Sequence, residues 1–341
     1  MSSPILIWGA GAIGGTLGAA LARQGHDVVF VDNASDHVAA INRSGLRITG
    51  PLFEDVVRAP AYEPDAVEGK FRRAFLCVKA LHTRQAAEAL EPLLADDGYV
   101  VSAQNGLNET ILADVLGAKR TVGCFVNFGA DYLEPGVVQY SGRGSVVLGE
   151  IDNTITERST EIHKLLQDFE PNASVTDNIW GFLWGKLTYG AILFATALTN
   201  ESIADVLEAR TFRHILTSLA QEVAAVASAG GIRPEAFDGF DPAVFMPGAT
   251  PEAIDRSFAD MVAQNRRSAK THSGIWRDLA IRKRRTECEP QLRPIVEAGQ
   301  KLGVPTPLTE RLITFIHELE EGTRAFSPDN IFVLAETSAR T

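Results

Sequence analysis

The sequence contains few cysteines and no long apolar runs. Its three cysteines, Cys77, Cys124 and Cys288, are widely spaced and form no CxxC or zinc pattern, which indicates reduced thiols in a cytosolic protein. No run of about 20 apolar residues occurs, so we expect no transmembrane helix. The first apolar run, at 5–8, is short and has no basic segment before it, so no signal peptide is expected. We therefore expect a soluble, cytoplasmic protein.

Positive charge is also scarce, with 32 Lys and Arg against 43 Asp and Glu and a net charge of −11. Such an acidic chain repels phosphate backbones and anionic lipid, so we expect neither nucleic acid nor a membrane surface as a partner. The seven histidines form no i, i+4 pairs, so no metal site is predicted. A chain of 341 residues has room for about two domains of roughly 100–200 residues each.

The pattern of apolar residues changes midway along the chain. Short apolar strands alternate with helical segments in the first half, which is typical of a mostly parallel sheet covered on both faces. The Val-rich segments that follow Gly136 predict a β-hairpin that closes this domain. After Asp177 helical periodicity dominates, so we expect an α/β domain over 1–177 and an all-helical domain over 178–341. The long predicted helices are Trp180–Ala197, Arg213–Ala229, Pro251–Ser268, Cys288–Leu302 and Thr309–Glu320.

A glycine-rich turn follows the first predicted strand and opens the first predicted helix. This context, inside a βαβ unit, is what a dinucleotide-binding turn requires. Gly9 permits the tight turn, Gly11 lets the backbone approach a pyrophosphate, and Gly14 allows close packing of helix on strand. Ala12 and Ile13 begin the helix, whose first amides and positive dipole end attract phosphate. The first domain is thus predicted to be a Rossmann-type dinucleotide-binding domain; the alternative is a purely structural turn.

Asp32 ends the second predicted strand, 18 residues after Gly14. A carboxylate at this position accepts hydrogen bonds from the adenosine-ribose hydroxyls and repels the 2′-phosphate of NADP. No Arg or Lys follows until Arg43. The sequence therefore favours NAD as the cofactor without excluding NADP, and the alternative is a solvent-facing aspartate in a turn.

A series of short blocks along nearly the whole chain points to one family. The blocks are Ile7–Gly15 (IWGAGAIGG), Cys77–Ala80 (CVKA), Gln104–Leu107 (QNGL), Gly181–Leu187 (GFLWGKL), His272–Asp278 (HSGIWRD), Arg285–Glu287 (RTE) and Gly303–Pro307 (GVPTP). In their order and spacing the chain resembles the ketopantoate reductases (2-dehydropantoate 2-reductases) and their paralogues. The resemblance implies a Rossmann domain, a helical second domain, and a cleft between them in which a 2-oxo acid is reduced to a 2-hydroxy acid.

The resemblance also implies roles for individual residues. Lys186 would be the general acid, and Lys79 would contact the cofactor. Asn105 would lie beside nicotinamide and substrate, Glu287 would hold the lysine or the substrate hydroxyl, and Ser273 would meet the substrate carboxylate. These residue types suit the chemistry, because hydride attack on a ketone builds negative charge on oxygen that an ammonium group stabilises and protonates. Desolvation in an apolar helix predicts a lowered pKa for Lys186.

Each of these residues has a structural alternative. Lys186 can extend to solvent from its helix, and Asn105 with Gly106 is first of all a turn signal. Glu287 can form a solvated ion pair with neighbouring arginines, and Ser273 can serve as a helix N-cap. The basic run 282–285 either lines a solvated helix face or steers an anion to the site.

The sequence departs from the family one and two turns after the lysine. The family usually presents asparagines there, whereas this chain has Tyr189-Gly190 and Phe194. A site that hydrogen-bonds a hydroxyl discriminates strongly, and an apolar wall selects mainly by fit. Gly190 and Phe194 therefore predict a substrate other than ketopantoate.

We expect an oxidoreductase that uses NAD and acts on a small 2-oxo or 2-hydroxy acid. One alternative is a true ketopantoate reductase that uses NADPH. Many members of the family use NADPH and carry a basic residue after the second strand, whereas this chain has Asp32 there. A second alternative is an NAD-binding sensor without turnover. The apolar segment Trp180–Ala197 allows a homodimer, but a monomer would bury the same residues in its core.

Overall fold

The computed structural model describes residues 3–267 and 271–336. The chain divides into two compact units, Met1–Ile179 and Trp180–Thr341. Ser268, the expected end of one helix, lies outside the described residues. Within the described ranges, no helix combines the length and the apolar character needed to cross a bilayer.

The first unit contains two sheets. Its strands are β1 (Ile5–Trp8), β2 (Val28–Val31), β3 (Leu46–Thr49), β4 (Asp55–Val57), β5 (Ala61–Tyr62), β6 (Phe71–Leu76), β7 (Leu94–Ser102), β8 (Thr121–Val126), β9 (Gly129–Glu134), β10 (Val137–Gly142), β11 (Val146–Glu150) and β12 (Ser174–Val175). The larger sheet has the order β12-β11-β8-β7-β6-β1-β2-β5 and the smaller one β4-β3-β10-β9. In the larger sheet all neighbours are parallel except β8 and β11.

The larger sheet is buried on both faces. Ile5 and Ile7 of β1 belong to one apolar cluster, while Leu6 and Trp8 belong to another. Because successive side chains of a strand point to opposite faces, these clusters cover the two sides of the sheet. The covering helices are α1 (Ala12–Arg23), α2 (Ser35–Ser44), α3 (Thr83–Leu90), α4 (Glu109–Leu116) and α5 (Glu157–Gln167). The expected Rossmann-type α/β architecture is confirmed.

The expected hairpin after Gly136 is wrong. β10 pairs with β3 and β9 in the smaller sheet, whereas the next segment, β11, joins β8 and β12 in the larger one. Burial explains the separation, because every residue of β11 is buried and β10 buries only alternate residues. The actual hairpin lies one strand earlier, between β9 and β10, where Gly136 adopts a φ of +77°.

The second unit is helical, as the sequence predicts. Its helices are α6 (Ile179–Thr196), α7 (Ile203–Glu208), α8 (Arg213–Ala229), α9 (Pro251–Arg267), α10 (Gly274–Trp276), α11 (Cys288–Leu302), α12 (Pro307–Glu320) and α13 (Asp329–Glu336), and α6 begins on the last residue of the first unit. In the described part of this unit, the only β-type pairing is a single bridge between Phe237 and Phe240. Most apolar side chains of α6 are buried within the chain itself, so its composition needs no second subunit to explain it.

A buried carboxyl group marks the start of α4. Glu109 is 1% exposed, and neither of its carboxylate oxygens makes a regular hydrogen bond. It packs over Gly123 of β8, where an added Cβ would lie 3.6 Å from the Cγ of Glu109. Burial raises the pKa of Glu109 to about 7, and weaker contacts with its own backbone amide and with Ser102 oppose only part of that shift.

We expect Glu109 to make the protein less stable as the pH rises. The unfolded carboxyl ionises near pH 4.5, whereas the folded one keeps its proton up to about pH 7. Between these values the folded state binds more protons than the unfolded state, so the free energy of unfolding falls by up to about 3 kcal/mol. Glu109→Gln should remove this loss, as measured by urea unfolding at pH 5 and pH 7.5.

The matched control is Asp114→Asn, on the exposed side of the same helix, where Asp114 pairs with Arg84. It should leave the pH dependence unchanged. If Glu109→Gln lost stability over this range as steeply as the unmodified protein does, the buried carboxyl would not be the cause.

Candidate functional site

The glycine turn between β1 and α1 leaves no room for side chains at two of its positions. Gly9 adopts a φ of +99°, and a Cβ there would lie 2.8 Å from the backbone nitrogen of Val78. A Cβ at Gly14 would lie 2.0 Å from the carbonyl oxygen of Gly9. Gly11 differs, because nothing lies within 4 Å of its added Cβ. Gly9 and Gly14 are therefore required by the packing of the turn, whereas Gly11 borders open space.

The first turn of α1 presents exposed backbone to that space. Gly11, Ala12 and Ile13 are half-exposed, while Gly14 is buried. Gly11 occupies the N-cap position without a side-chain cap, and no acidic residue lies in the first turn. The amide groups and the positive end of the helix dipole thus make this turn suited to an anion.

Asp32 lies just after β2 and bonds to the glycine turn. Its Oδ2 accepts a hydrogen bond from the Ala10 amide at 2.8 Å, and its Oδ1 accepts one from the Ala34 amide at 3.0 Å. Because a carboxylate has about four acceptor sites, capacity remains for the hydroxyl groups of a ligand. Asp32 therefore secures the turn as well as bordering it, which the sequence did not indicate.

Lys79 and Asn105 lie on loops that follow neighbouring strands. Lys79 comes shortly after β6 and Asn105 shortly after β7, and both side chains are half-buried. The adjacent parallel strands β7, β6, β1 and β2 end at the same edge of the sheet, where the glycine turn and Asp32 also lie. Ligands of open α/β sheets bind outside the carboxyl ends of such strands. The structure thus brings together every predicted cofactor residue of this unit.

A buried polar network joins the loops that follow β6 and β7. Gln104 Nε2 donates to the Val78 carbonyl at 2.9 Å and to the Thr83 hydroxyl at 2.8 Å. The Thr83 hydroxyl lies 2.8 Å from Asn108 Oδ1, and Asn108 Nδ2 donates to the Asn105 carbonyl at 2.7 Å. Satisfied buried networks of this kind hold backbone segments in one arrangement. Sequence reasoning missed these supporting side chains, since it had assigned a role to Asn105 alone.

In the second unit, Lys186 lies on the accessible stripe of α6. The half-exposed residues of this part of the helix are Phe182, Lys186, Tyr189, Gly190 and Leu193, and the remaining ones are buried. Their spacing of three and four places them on one face. Gly190 therefore shares the face of Lys186, and a Cβ added at Gly190 would meet nothing within 4 Å. Phe194 is only 3% exposed, so Leu193 is the side chain that follows Gly190 on this face.

Tyr189 belongs to an aromatic cluster beside Lys186. Its ring centroid lies 5.0 Å from that of Phe240 and 6.3 Å from that of Phe237. Asn265 Nδ2 lies 3.3 Å from the Tyr189 hydroxyl, and burial raises the pKa of this tyrosine. The aromatic character expected after the lysine thus comes from Tyr189, which is held in place by its neighbours.

Ser273 is the N-cap of the short helix α10. Its hydroxyl accepts a hydrogen bond from the Trp276 amide at 3.2 Å. The His272 and Trp276 rings stack with centroids 4.0 Å apart, and the Trp276 indole donates to Asn200 Oδ1 at 3.1 Å. The block is therefore fixed to the segment that follows α6, and the N-cap alternative for Ser273 is correct whether or not it also meets a substrate.

The neighbours of Glu287 are anchored by the last turn of α12. Glu320 Oε1 accepts hydrogen bonds from the Thr286 amide and from the Thr286 hydroxyl, both at 2.7 Å. The Thr286 hydroxyl in turn accepts a hydrogen bond from the Cys288 amide at 3.1 Å. Glu287 stands in the N-cap position of α11 but makes no side-chain cap hydrogen bond. Thr286 takes over the capping, so the helix does not engage the Glu287 carboxylate as its cap.

His317 ties this anchor to α11. Its Nδ1 lies 2.9 Å from Glu320 Oε2, and its Nε2 lies 2.7 Å from Glu289 Oε2. Burial opposes its charged form, but the hydrogen bonds with both carboxylates outweigh burial and raise its pKa. The hydrogen bond from Arg293, together with that from His317, lowers the pKa of Glu289. Both ring nitrogens of His317 face carboxylate oxygens, so in its charged form the imidazole donates to both and braces the segment that carries Glu287.

The basic run 282–285 is partly neutralised within the unit. Arg282 Nη1 and Arg284 Nε donate to Oδ1 of the buried Asp278, at 2.9 and 3.0 Å. These arginines therefore hold their own loop in place. Because Asp278 offsets part of their positive charge, less of it remains to steer an anion to the site. Among the described residues, no group of three or more His, Cys, Asp or Glu side chains is arranged to hold a metal ion.

Comparison with known proteins places this arrangement in one family. Residues 5–153 match the family model described as "Ketopantoate reductase PanE/ApbA", and residues 178–320 match "Ketopantoate reductase PanE/ApbA C terminal". The 2-dehydropantoate 2-reductase of Archaeoglobus fulgidus is 27% identical over 93% of this chain and 98% of its own length. The corresponding protein of Pyrococcus horikoshii is 32% identical over 53% of this chain and 59% of its own.

Solved structures give the same result for the fold. A PanE/ApbA family ketopantoate reductase from Ralstonia eutropha JMP134 is similar with a TM-score of 0.78 and 27% identity, over 94% of this chain and 99% of that one. D-mandelate dehydrogenase, solved with NADH and anilino(oxo)acetate, has a TM-score of 0.81 and 23% identity, over 94% and 98% of the two chains. On the matched family models and these relatives, the chain belongs to the ketopantoate reductase family of NAD(P)-dependent oxidoreductases.

Proposed function

We propose that this protein transfers a hydride between NAD(H) and C2 of a small 2-oxo or 2-hydroxy acid, with Lys186 as the general acid in reduction and the general base in oxidation. The observation that carries the proposal is the common sheet edge at the ends of β1, β2, β6 and β7. That edge gathers the glycine turn and Asp32, which a dinucleotide requires, together with Lys79 and Asn105, to which the family resemblance assigns the cofactor.

The residues at this edge fit NAD. The open space beside Gly11 admits a pyrophosphate, which the first amides of α1, at Ala12 and Ile13, would bind. Asp32 retains acceptor capacity for the adenosine-ribose hydroxyls and repels a 2′-phosphate, so we assign NAD rather than NADP. Lys79 would contact the cofactor, and Asn105 would lie beside the nicotinamide and the substrate. When bound, the nicotinamide supplies or accepts the hydride.

The residues of the second unit would handle the acid. The Lys186 ammonium stabilises negative charge on the substrate oxygen and donates the proton that completes the hydroxyl group. Glu287 holds the lysine or the substrate hydroxyl, and Ser273 meets the substrate carboxylate. In oxidation the same lysine, in its neutral form, removes the hydroxyl proton.

The face of α6 favours a substrate with an apolar substituent. Gly190 leaves open space one turn from Lys186, and Leu193 follows on the same stripe. Such a surface selects by fit, because neither Gly190 nor Leu193 carries a side-chain donor for a substrate hydroxyl. A similar fold has been solved as D-mandelate dehydrogenase with NADH, which supports both an NADH-dependent reaction and a 2-hydroxy acid other than pantoate. Phe194 would support this face from beneath.

A true ketopantoate reductase is the second candidate. It is favoured by the curated relatives, of which the protein from Archaeoglobus fulgidus is called 2-dehydropantoate 2-reductase. A panel of 2-oxo acids, each assayed at 340 nm with NADH and with NADPH, separates the two candidates. Our proposal predicts the highest kcat/KM for an apolar-substituted acid with NADH. The highest kcat/KM for ketopantoate with NADPH would establish the second candidate.

Replacing Lys186 should affect proton transfer and leave cofactor binding intact. Lys186→Met should lower kcat at least about 100-fold, because general acid catalysis contributes typically that much or more. The dissociation constant for NADH should stay within about twofold, since the assigned cofactor residues lie in the first unit. Lys301→Met, at an exposed position of α11, is the control and should keep full activity. A Lys186→Met enzyme with an unchanged kcat would refute the general-acid assignment.

Asp32 should decide the choice of cofactor. Like charges placed together cost several kcal/mol, so the unmodified protein should prefer NADH over NADPH by at least about tenfold in kcat/KM. Asp32→Asn should reduce that preference. Asp36→Asn, at an exposed position of α2, should not change it. A preference for NADPH in the unmodified protein would show that the Asp32 argument is wrong.

Gly190 should govern the size of the substrate. Gly190→Asn fills the open space and restores an amide to the face of Lys186, so the ratio of kcat/KM for a bulky apolar acid to that for ketopantoate should fall at least about tenfold. Gly142→Asn is the control, because an added Cβ at Gly142 also meets nothing within 4 Å and, as at Gly190, the backbone φ is not positive. An unchanged ratio in Gly190→Asn would remove Gly190 from the substrate site.

A further inference from the structure

The backbone amide and the backbone carbonyl of Ala10 each have a side chain as hydrogen-bond partner. Its amide donates to Asp32 Oδ2 at 2.8 Å, and its carbonyl oxygen lies 2.9 Å from His37 Nε2. Ala10 is fully buried and precedes α1, whose backbone ladder begins with the Gly15 amide on the Gly11 carbonyl. A buried carbonyl needs a donor, and for Ala10 the imidazole is positioned to provide it.

The contacts of His37 determine which ring nitrogen carries the proton. The Gly136 amide lies 2.8 Å from His37 Nδ1. A backbone amide can only donate, so Nδ1 must be the unprotonated acceptor. The ring proton is then on Nε2 and is donated to the Ala10 carbonyl. Only the neutral Nε2–H tautomer satisfies both contacts.

His37 links parts of the first unit that are distant in sequence. It is fully buried on α2, and its ring packs edge-on against Tyr132 of β9, with centroids 5.1 Å apart. Gly136 lies in the turn between β9 and β10, so the imidazole connects the smaller sheet to the glycine turn. The β9–β10 hairpin is thus connected through the His37 side chain to the loop that precedes α1.

We propose that His37 is a positioning residue for the dinucleotide: through the Ala10 carbonyl it fixes the glycine turn so that the amides at the start of α1 face the pyrophosphate. This inference rests on the proposed function, because the turn must first be the cofactor site. Loss of the imidazole leaves the Ala10 carbonyl and the Gly136 amide without these partners in a buried place, and the turn relaxes to pair them. Preorganisation for the cofactor is then lost.

The test compares His37→Leu, His37→Gln and a matched control, His163→Leu. Glutamine carries one donor and one acceptor and can serve both backbone groups, whereas leucine serves neither. His163 also contacts a backbone carbonyl, that of Ala173 at 2.7 Å, but it lies on α5, and this contact joins α5 to the segment that precedes β12. The measurements are the NADH dissociation constant from cofactor fluorescence, kcat at saturating NADH, and the His37 tautomer from nitrogen-15 NMR of the unmodified protein.

The inference predicts at least about tenfold weaker NADH binding in His37→Leu, equivalent to about 1.4 kcal/mol. Its kcat at saturating NADH should stay within about twofold, because the lysine in the second unit is untouched. His37→Gln should recover most of the affinity, and His163→Leu should bind like the unmodified protein. The NMR spectrum should show a proton on Nε2 of His37 and none on Nδ1.

Unchanged NADH affinity in His37→Leu would overturn the inference, and so would an equal loss in His163→Leu, which would indicate general destabilisation. A proton on Nδ1 of His37 would also overturn it, and this measurement stands even where the leucine variant does not fold. If the unmodified protein does not bind NADH, both the proposed function and this inference are wrong. If the protein binds and turns over while the His37 variants behave normally, only this inference fails.

Discussion

The turn from β1 into α1 imposes the constraint on which the first unit depends. The chain reverses within a few residues, so peptide groups of Gly9 and Ala10 are buried before the helix can pair them. The Gly9 amide donates to the Val31 carbonyl at 2.7 Å, and Asp32 and His37 pair the two groups of Ala10. Every buried polar group of a turn needs such a partner. Strand β2, helix α2 and, through His37, the smaller sheet are thereby tied to one loop.

Elsewhere in the chain, too, polar side chains fix the backbone segments that carry residues of the proposed site. Gln104 and Thr83 hold the loops after β6 and β7, so Asn105 is fixed by side chains that need not touch a ligand themselves. Glu320 and His317 do the equivalent for the segment around Glu287. The residues to which we assign chemistry thus lie on backbone segments that paired polar side chains hold in place.

Much of this could be predicted from sequence, because the deciding patterns are local. Alternation of strands and helices indicated the fold class, and the glycine turn with Asp32 indicated the sheet edge at which we propose that the cofactor binds. The predicted hairpin after Gly136 was wrong because the sheet that each strand joins depends on how deeply the strand is buried. β10 and β11 acquire their different degrees of burial only in the folded unit. His37 and Gln104 were missed because their partners lie 27 and 21 residues away, and Gly136 lies 99 away. Phe194 was assigned to the face of Lys186 from the sequence, but it is buried, and the helical spacing of three from Gly190 leads instead to Leu193.

A crystal structure of this protein with NADH tests the central claim most directly. The account predicts that the adenosine-ribose hydroxyls donate to the Asp32 carboxylate and that the pyrophosphate accepts hydrogen bonds from the amides of Ala12 and Ile13. The Ala10 carbonyl should keep its contact with His37 in that complex. A dinucleotide bound away from the edge formed by β1, β2, β6 and β7, or one whose ribose does not reach Asp32, would contradict the account.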